Sequence, residues 1–404
     1  MKQVVIIGGG AGGFFAAINL KERHPDYQVT ILEKSKEVLQ KVRISGGGRC
    51  NVTHACFDPR ELVQHYPRGE KALLGAFSRF QTADTVAWFE ERGVPLKTES
   101  DGRMFPTTDS SQTIIDCFLR QIKKQRVHVL TRHAVTELMP PEKTEAKWRI
   151  RTKNKGDFTA DAVVVATGSH TAVWKMLRKL GYRIASPVPS LFTFRIQDKR
   201  LEGLAGVSLP QVAAKVQDSR LAEAGALLIT HWGLSAPAIL RLSAWGAELL
   251  HEKNYRFTVR INFIPSHTAQ TLEAELKQLK ESEHKKQVSS HGQFGIPVRL
   301  WKRLVAFAGI GAKQRWAEVS RKHLRQLAES LTQADFAVTG KSTFKEEFVT
   351  CGGLLLDEVD MRSMESRKHP NLYFSGEVLN VDAITGGFNF QHAWTSAWIA
   401  AQHI

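Results

Sequence analysis

The chain has 404 residues, and its 56 Lys and Arg against 40 Asp and Glu give a formal charge of +16. That length allows two to three domains of about 150 residues, and 42% hydrophobic with 24% charged residues excludes a disordered chain. Four cysteines without a Cys-x-x-Cys pair exclude a disulfide framework and a structural zinc site. No apolar run approaches the ~18 residues needed to cross a bilayer.

From the N-terminus, Val4–Ile7 reads as a parallel strand buried on both faces. Gly8, Gly9, Gly10, Ala11, Gly12 and Gly13 follow, then a helix over Phe14–Arg23 and a second strand over Val29–Leu32, a βαβ unit. Helices are expected around Asp84–Arg92 and Gln112–Lys124. Strands are expected at Val127–Leu130, in a hairpin around Asn154-Lys155-Gly156, and at Ala162–Ala166. After Pro187-Val188-Pro189 the pattern changes to short β-like runs and then to Lys-, Glu- and Leu-rich helical sequence. Leu372–Phe374 returns to strand, and Phe388–Ala401 has the composition of a packed terminal helix. The expected organisation is a nucleotide-binding domain over 1–190 and 336–404, with an insertion over 191–335. The insertion is β-rich about 191–250 and helical about 266–333.

Gly8-x-Gly10-x-x-Gly13 lies between a strand and a helix, where a tight turn and a close backbone let a pyrophosphate meet the helix N-terminus. Glu33, at the end of the second strand, is placed to bind ribose hydroxyls. Two further strand ends matter. Ala166-Thr167-Gly168 ends one, and Gly376-Glu377 follows another, with a carboxylate suited to ribityl hydroxyls. The trio resembles the glutathione-reductase-type FAD-binding fold, so FAD is expected in preference to NAD. The fold class is α/β: a glutathione-reductase-type, FAD-binding Rossmann-like domain from both chain ends, carrying a β-rich plus helical insertion.

Arg43, Ser45, Gly46, Gly47, Gly48, Arg49, Cys50 and Asn51 form a glycine-rich stretch whose backbone can lie against a flat ring or a phosphate. With Gly102–Pro106, Thr230–Leu240, Met364–Ser366 and Gly386-Gly387-Phe388-Asn389, it makes nearly the whole chain resemble the BaiN-like (YhiN-like) flavoproteins, also labelled aminoacetone-oxidase family FAD-binding enzymes. Ser169 and Ala236 stand where that pattern leads one to expect glycines. The resemblance implies a flavin held by the residues above together with Lys34 and Val135. It also implies that the terminal helix, entered through Gly386, Gly387, Phe388 and Asn389, points its N-terminus at the pyrimidine end of the ring. There its dipole would stabilise developing negative charge.

Cys50 reads as a small buried thiol rather than a redox group. His231, Arg103 and Asn389 are the candidate catalytic side chains, each weighed against a structural hydrogen bond or a surface ion pair; His392 is left unassigned. The expected function is hydride transfer between a small organic substrate and flavin N5, with NAD(P)H or dioxygen as second partner. A tRNA-modifying or RNA-binding flavoprotein is the alternative, supported by charge alone. The substrate pocket is expected between flavin and insertion. No nucleic-acid, membrane or metal partner is expected, the location is expected to be cytoplasmic, and oligomeric state is left open.

Overall fold

The computed structural model describes residues 1–142, 147–342 and 349–404. The chain divides into two units, Met1–Val188 with Val349–Ile404, and Pro189–Phe348.

In the first unit, apolar runs without alternation become strands buried on both faces. They are β1 (Gln3–Ile7), β2 (Gln28–Leu32), β3 (His128–Leu130), β4 (Ala162–Val165) and the late strand Leu372–Phe374, all parallel. Spatial order is β3-β2-β1-β4 and then Leu372–Phe374, and two short antiparallel strands, Glu365–Ser366 and Val359–Asp360, complete that edge. Ile6 is registered with Ile31 on one side and Val164 on the other. The order reverses between β1 and β4, and the crevice at the carboxyl ends of strands around such a reversal is where α/β sheets bind ligands.

Helix α1 (Ala11–Arg23) leaves β1 through the glycines, and Gly12 to Leu20 are all buried. It packs along the C-terminal helix Phe388–His403. Phe15 anchors this contact against Trp88, Trp394 and Phe80, with ring centroids 4.5, 5.2 and 5.7 Å away.

The second unit is a closed antiparallel barrel covered by helices. Its strands are β5 (Thr193–Ile196), β6 (Ser208–Val216), β7 (Ala222–Ile229), β8 (Gly233–Ser235), β9 (Phe257–Asn262) and β10 (Ala334–Ser342), in the order β5-β8-β7-β6-β9-β10. β10 closes the barrel on β5, with Phe194 opposite Lys341. Helices α2 (Ala269–Ser282), α3 (Val298–Phe307) and α4 (Arg321–Thr332) place Leu272, Leu276, Leu300, Trp301, Leu304 and Leu327 in one core with the barrel.

The sequence expectation differs from this unit in two places. The β-rich stretch was expected to end about 250, yet Pro237–Trp245 and Ala247–Glu252 are helical and two barrel strands come later. The insertion was expected to end at 335, whereas β10 runs to Ser342. β10 has the period-two signature, with Ala334, Phe336 and Val338 buried and Asp335 and Ala337 exposed. It follows a helix directly, and its alternation alone does not say that it belongs with the barrel.

Ala236 precedes the Pro237–Trp245 helix with φ +79° and ψ 177°, a region that only glycine enters without strain, at a cost of about 1–3 kcal/mol. Ala236→Gly is therefore expected to raise unfolding stability by about 1 kcal/mol in urea titration, the relief being partly offset by the freer unfolded chain. A loss of stability would contradict the strain.

Among the described residues, no helix is long and apolar enough to cross a membrane, and no group of three or more His, Cys, Asp or Glu could hold a metal ion.

Candidate functional site

The crevice between β1 and β4 is built by glycines of two kinds. Gly8 has φ +112°, and a Cβ there would lie 2.4 Å from the Ala166 carbonyl oxygen; a Cβ on Gly13 would lie 2.0 Å from the Gly8 oxygen. These two let strand, turn and helix touch. Gly10 caps α1 in extended conformation, and a Cβ on it meets nothing within 4 Å. The same open space lies over Gly47 and Gly48. Backbone close to a void, at a helix N-terminus, is the form a diphosphate site takes.

Glu33 is held on both carboxylate oxygens, by Gly9 N–H and Ser35 N–H at 2.7 Å each. Its remaining lone pairs can accept from ribose hydroxyls. Beside it, His133 N–H donates to the Glu33 carbonyl, which brings the start of the Val135–Met139 strand to the same place. Lys34 also lies here, near His170, whose imidazole is driven towards its neutral form first by burial and then by the Lys34 charge.

At β4 and the late strand, a Cβ on Gly168 would be 3.7 Å from a Glu377 carboxylate oxygen, and Lys41 Nζ donates to that oxygen at 2.5 Å. Gly376 N–H donates to Ser396 Oγ at 2.9 Å. Three sequence-distant segments thus converge on Glu377.

The loop into the C-terminal helix is fixed from several sides. Asn389 accepts from Ala383 N–H through Oδ1 at 3.0 Å and donates through Nδ2 to the Ala383 carbonyl at 3.1 Å. Tyr66 donates to the Phe388 carbonyl at 2.6 Å, and the His54 ring meets the Gly386 carbonyl at 3.0 Å. Buried Asp382 takes a fork of bonds from Arg68. Gly387 has φ +95°, and its missing Cβ would fall 2.5 Å from the Thr53 carbonyl oxygen. Asn51 Oδ1, buried beside Gly387, has no hydrogen-bond partner among the described residues. Such an orphaned buried acceptor fits a site completed by a bound group.

The profile of the HI0933-like protein Rossmann domain matches residues 2–403. The chain belongs to the HI0933-like family. This is the BaiN-like (YhiN-like) flavoprotein family that the sequence resembles. The ribosomal RNA dihydrouridine synthase of Escherichia coli K12 is 30% identical, covering 100% of this chain and 98% of the relative. The 3-dehydro-bile acid delta(4,6)-reductase of Clostridium scindens is 28% identical over 100% and 98%. Among solved structures, 3-ketosteroid-delta4-(5alpha)-dehydrogenase from Rhodococcus jostii RHA1 shares the fold at TM-score 0.51 and 12% identity, over 99% of this chain and 97% of that one.

Within this HI0933-like chain the three candidate catalytic side chains have different surroundings. Arg103 is taken up by Asp101 at 2.7 Å and Glu99 at 3.0 Å. Asn389 serves the entry loop as described. His231 is exposed, in the turn between β7 and β8 of the second unit. In the glycine-rich stretch, Arg43 donates to Gln112 at 2.9 Å. Ser45 donates to the Val42 carbonyl and accepts the Cys50 N–H through its own carbonyl. Arg49 lies over the Phe105 ring at 3.9 Å and pairs with Glu99 at 2.5 Å. Burial pushes the Cys50 thiol up to about 12, which keeps it protonated and unreactive.

Sequence reasoning did not find Lys41 as the partner of Glu377, nor the complete burial of His392. The His392 ring is fully buried, and burial lowers it to about 4 against the smaller opposing pull of the Gly376 backbone, so it is neutral. It lies one turn into the C-terminal helix, with only its position beside Gln391 as a signal in the sequence.

Proposed function

We propose that this flavoprotein is an FAD-dependent reductase that saturates a carbon–carbon double bond conjugated to a carbonyl, and that its substrate is a uracil ring in ribosomal RNA. The observation that carries the reading is the end-to-end match with the E. coli protein named for dihydrouridine synthesis in that RNA. The charge of +16 agrees with a polyanionic substrate. The bile-acid relative supports the same bond chemistry on a small enone, which is the second reading. Uridine and a 3-keto-Δ4 steroid both present an activated β-carbon to hydride.

When bound, FAD supplies the electron pair as hydride, drawn from a reduced nicotinamide dinucleotide. The protein's own part is positional. The open backbone at Gly10 and the N-terminus of α1 receive the diphosphate. Glu33 takes the adenosine ribose, and Glu377 with Lys41 takes the ribityl chain. Gly46–Asn51 and Gly386–Asn389 border the ring, where the N-terminus of the C-terminal helix favours negative charge during reduction. His392 stays uncharged there, and Cys50 stays a thiol.

The test is to incubate purified holoenzyme and NAD(P)H anaerobically with ribosomal RNA from a strain lacking the gene, and to analyse the nucleosides by mass spectrometry. Dihydrouridine is the expected product. Flavin reoxidation by a 3-keto-Δ4 steroid, with no dihydrouridine formed, would select the second reading.

A further inference from the structure

The second unit contains a cavity of about 670 Å³, within the size range of ligand sites. It opens at the barrel end where β5 stops and β8 begins, since Arg195 is registered with Gly233. Its walls are the loop after β5, the Thr230–Gly233 turn and Arg299 of α3.

The charges around it lean to the basic side, although the exposed Glu202 also lines it. Asp198 is neutralised by Arg200, which donates to it at 2.7 and 2.9 Å and lies buried over the Phe336 ring. Lys199 and Arg299 at the cavity, and Lys302 and Arg303 on the neighbouring face of α3, are exposed. None of the four has a carboxylate within 4.0 Å among the described residues. Arg299 and Arg303 instead tie the loop down through the carbonyls of Gly203 and Glu202. Residues 285–325 carry ten Lys and Arg against the single acid Glu318. Since Leu300, Trp301, Leu304 and Val305 are buried, the amphipathic α3 turns its basic side to solvent. Trp232, in the turn that walls the cavity, is 46% exposed. An exposed ring in the turn next to a cleft that carries cations without carboxylate partners is a combination that binds single-stranded nucleic acid, bases stacking while the cations follow the phosphates.

We propose that this cleft and the basic face of α3 hold a single-stranded segment of RNA, with phosphates on Lys199, Arg299, Lys302 and Arg303 and a base stacked on Trp232. The proposal rests on the reading that the substrate is RNA, and it assigns the recognition of that substrate to the inserted barrel. A concave site of this size takes unpaired nucleotides in preference to a rigid A-form duplex, which is recognised across its wide minor groove.

The experiment titrates holoenzyme into a short fluorescein-labelled oligouridylate between about 50 and 200 mM KCl and follows polarisation. Log affinity should fall linearly with log salt, at about 0.7 per phosphate contact. Lys199→Gln with Lys302→Gln should flatten that slope by about 1.4. Trp232→Ala should weaken binding about tenfold with the slope unchanged. Thermal melts and the visible flavin spectrum confirm that the variants are intact. Wild-type affinity and slope in these variants, no binding by the wild type at the lower salt, or displacement of the oligonucleotide by NADPH at equal concentration would each overturn the site. Dihydrouridine formation by variants that bind and react as wild type would remove the site and leave the functional reading standing. Enzyme that binds the oligonucleotide at this site and reduces only steroid enones would instead overturn the functional reading.

Discussion

Gly10→Val protein is expected to fold normally and to purify without colour. A Cβ at Gly10 enters open space, and the residue's extended conformation suits any side chain. The change loses only a modest part of an N-cap, roughly 1 kcal/mol or less. The same space is where the diphosphate would approach the backbone, so the valine methyl groups occupy the ligand's position. Gly13→Val is the contrasting case. Its Cβ would stand 2.0 Å from the Gly8 oxygen, so helix and strand must separate and packing worth roughly 3 kcal/mol or more is lost. Circular dichroism, melting temperature and the flavin absorbance of the two proteins separate ligand space from structural contact. A yellow Gly10→Val protein would refute the diphosphate assignment.

Asp382→Ala should be among the most damaging single substitutions outside the apolar core. The Asp382 side chain is fully buried, and that of Arg68 is 13% exposed. Removing the carboxylate leaves a guanidinium largely out of water, and breaking a buried pair in this way costs about 3–5 kcal/mol. The urea midpoint should drop accordingly. Replacing both residues with leucine should recover much of the loss, because the guanidinium and its desolvation cost go together with the carboxylate. The damage should also reach the flavin, since Asn389 pins Ala383 next to Asp382 and the C-terminal helix begins a few residues later. Flavin dissociation on dilution should accelerate in Asp382→Ala. A variant with wild-type urea midpoint would show that the pair is dispensable.

The parts of this molecule that sequence reveals are those whose physics is local. β1, the glycine turn, α1 and β2 lie within the first 32 residues, and each leaves its own mark: an apolar run, residues without Cβ, a helical period, another apolar run. The barrel is less legible because closure depends on β9 and β10, short alternating strands separated by three helices. Val259 and Ile261 point inward between charged or polar neighbours, a pattern that gains meaning only when the partner strand is known. The supports of the candidate site are the least legible. Lys41 and Glu377 are 336 positions apart, Tyr66 and Phe388 322, and Arg68 and Asp382 314. No local spacing can announce such pairs.

The Rossmann sheet is completed only by Leu372–Phe374, and α1 is covered by the final helix, whereas the intervening barrel draws every strand from Thr193 to Ser342. During translation the barrel can therefore close first, while the opening crossover waits on the ribosome for its missing edge. At about 5–20 residues per second, the roughly two hundred residues after Val188 impose a delay of some 10–40 s. Throughout that interval the apolar surface of the nascent βαβ unit lacks the late strand and the helix that cover it in the finished fold.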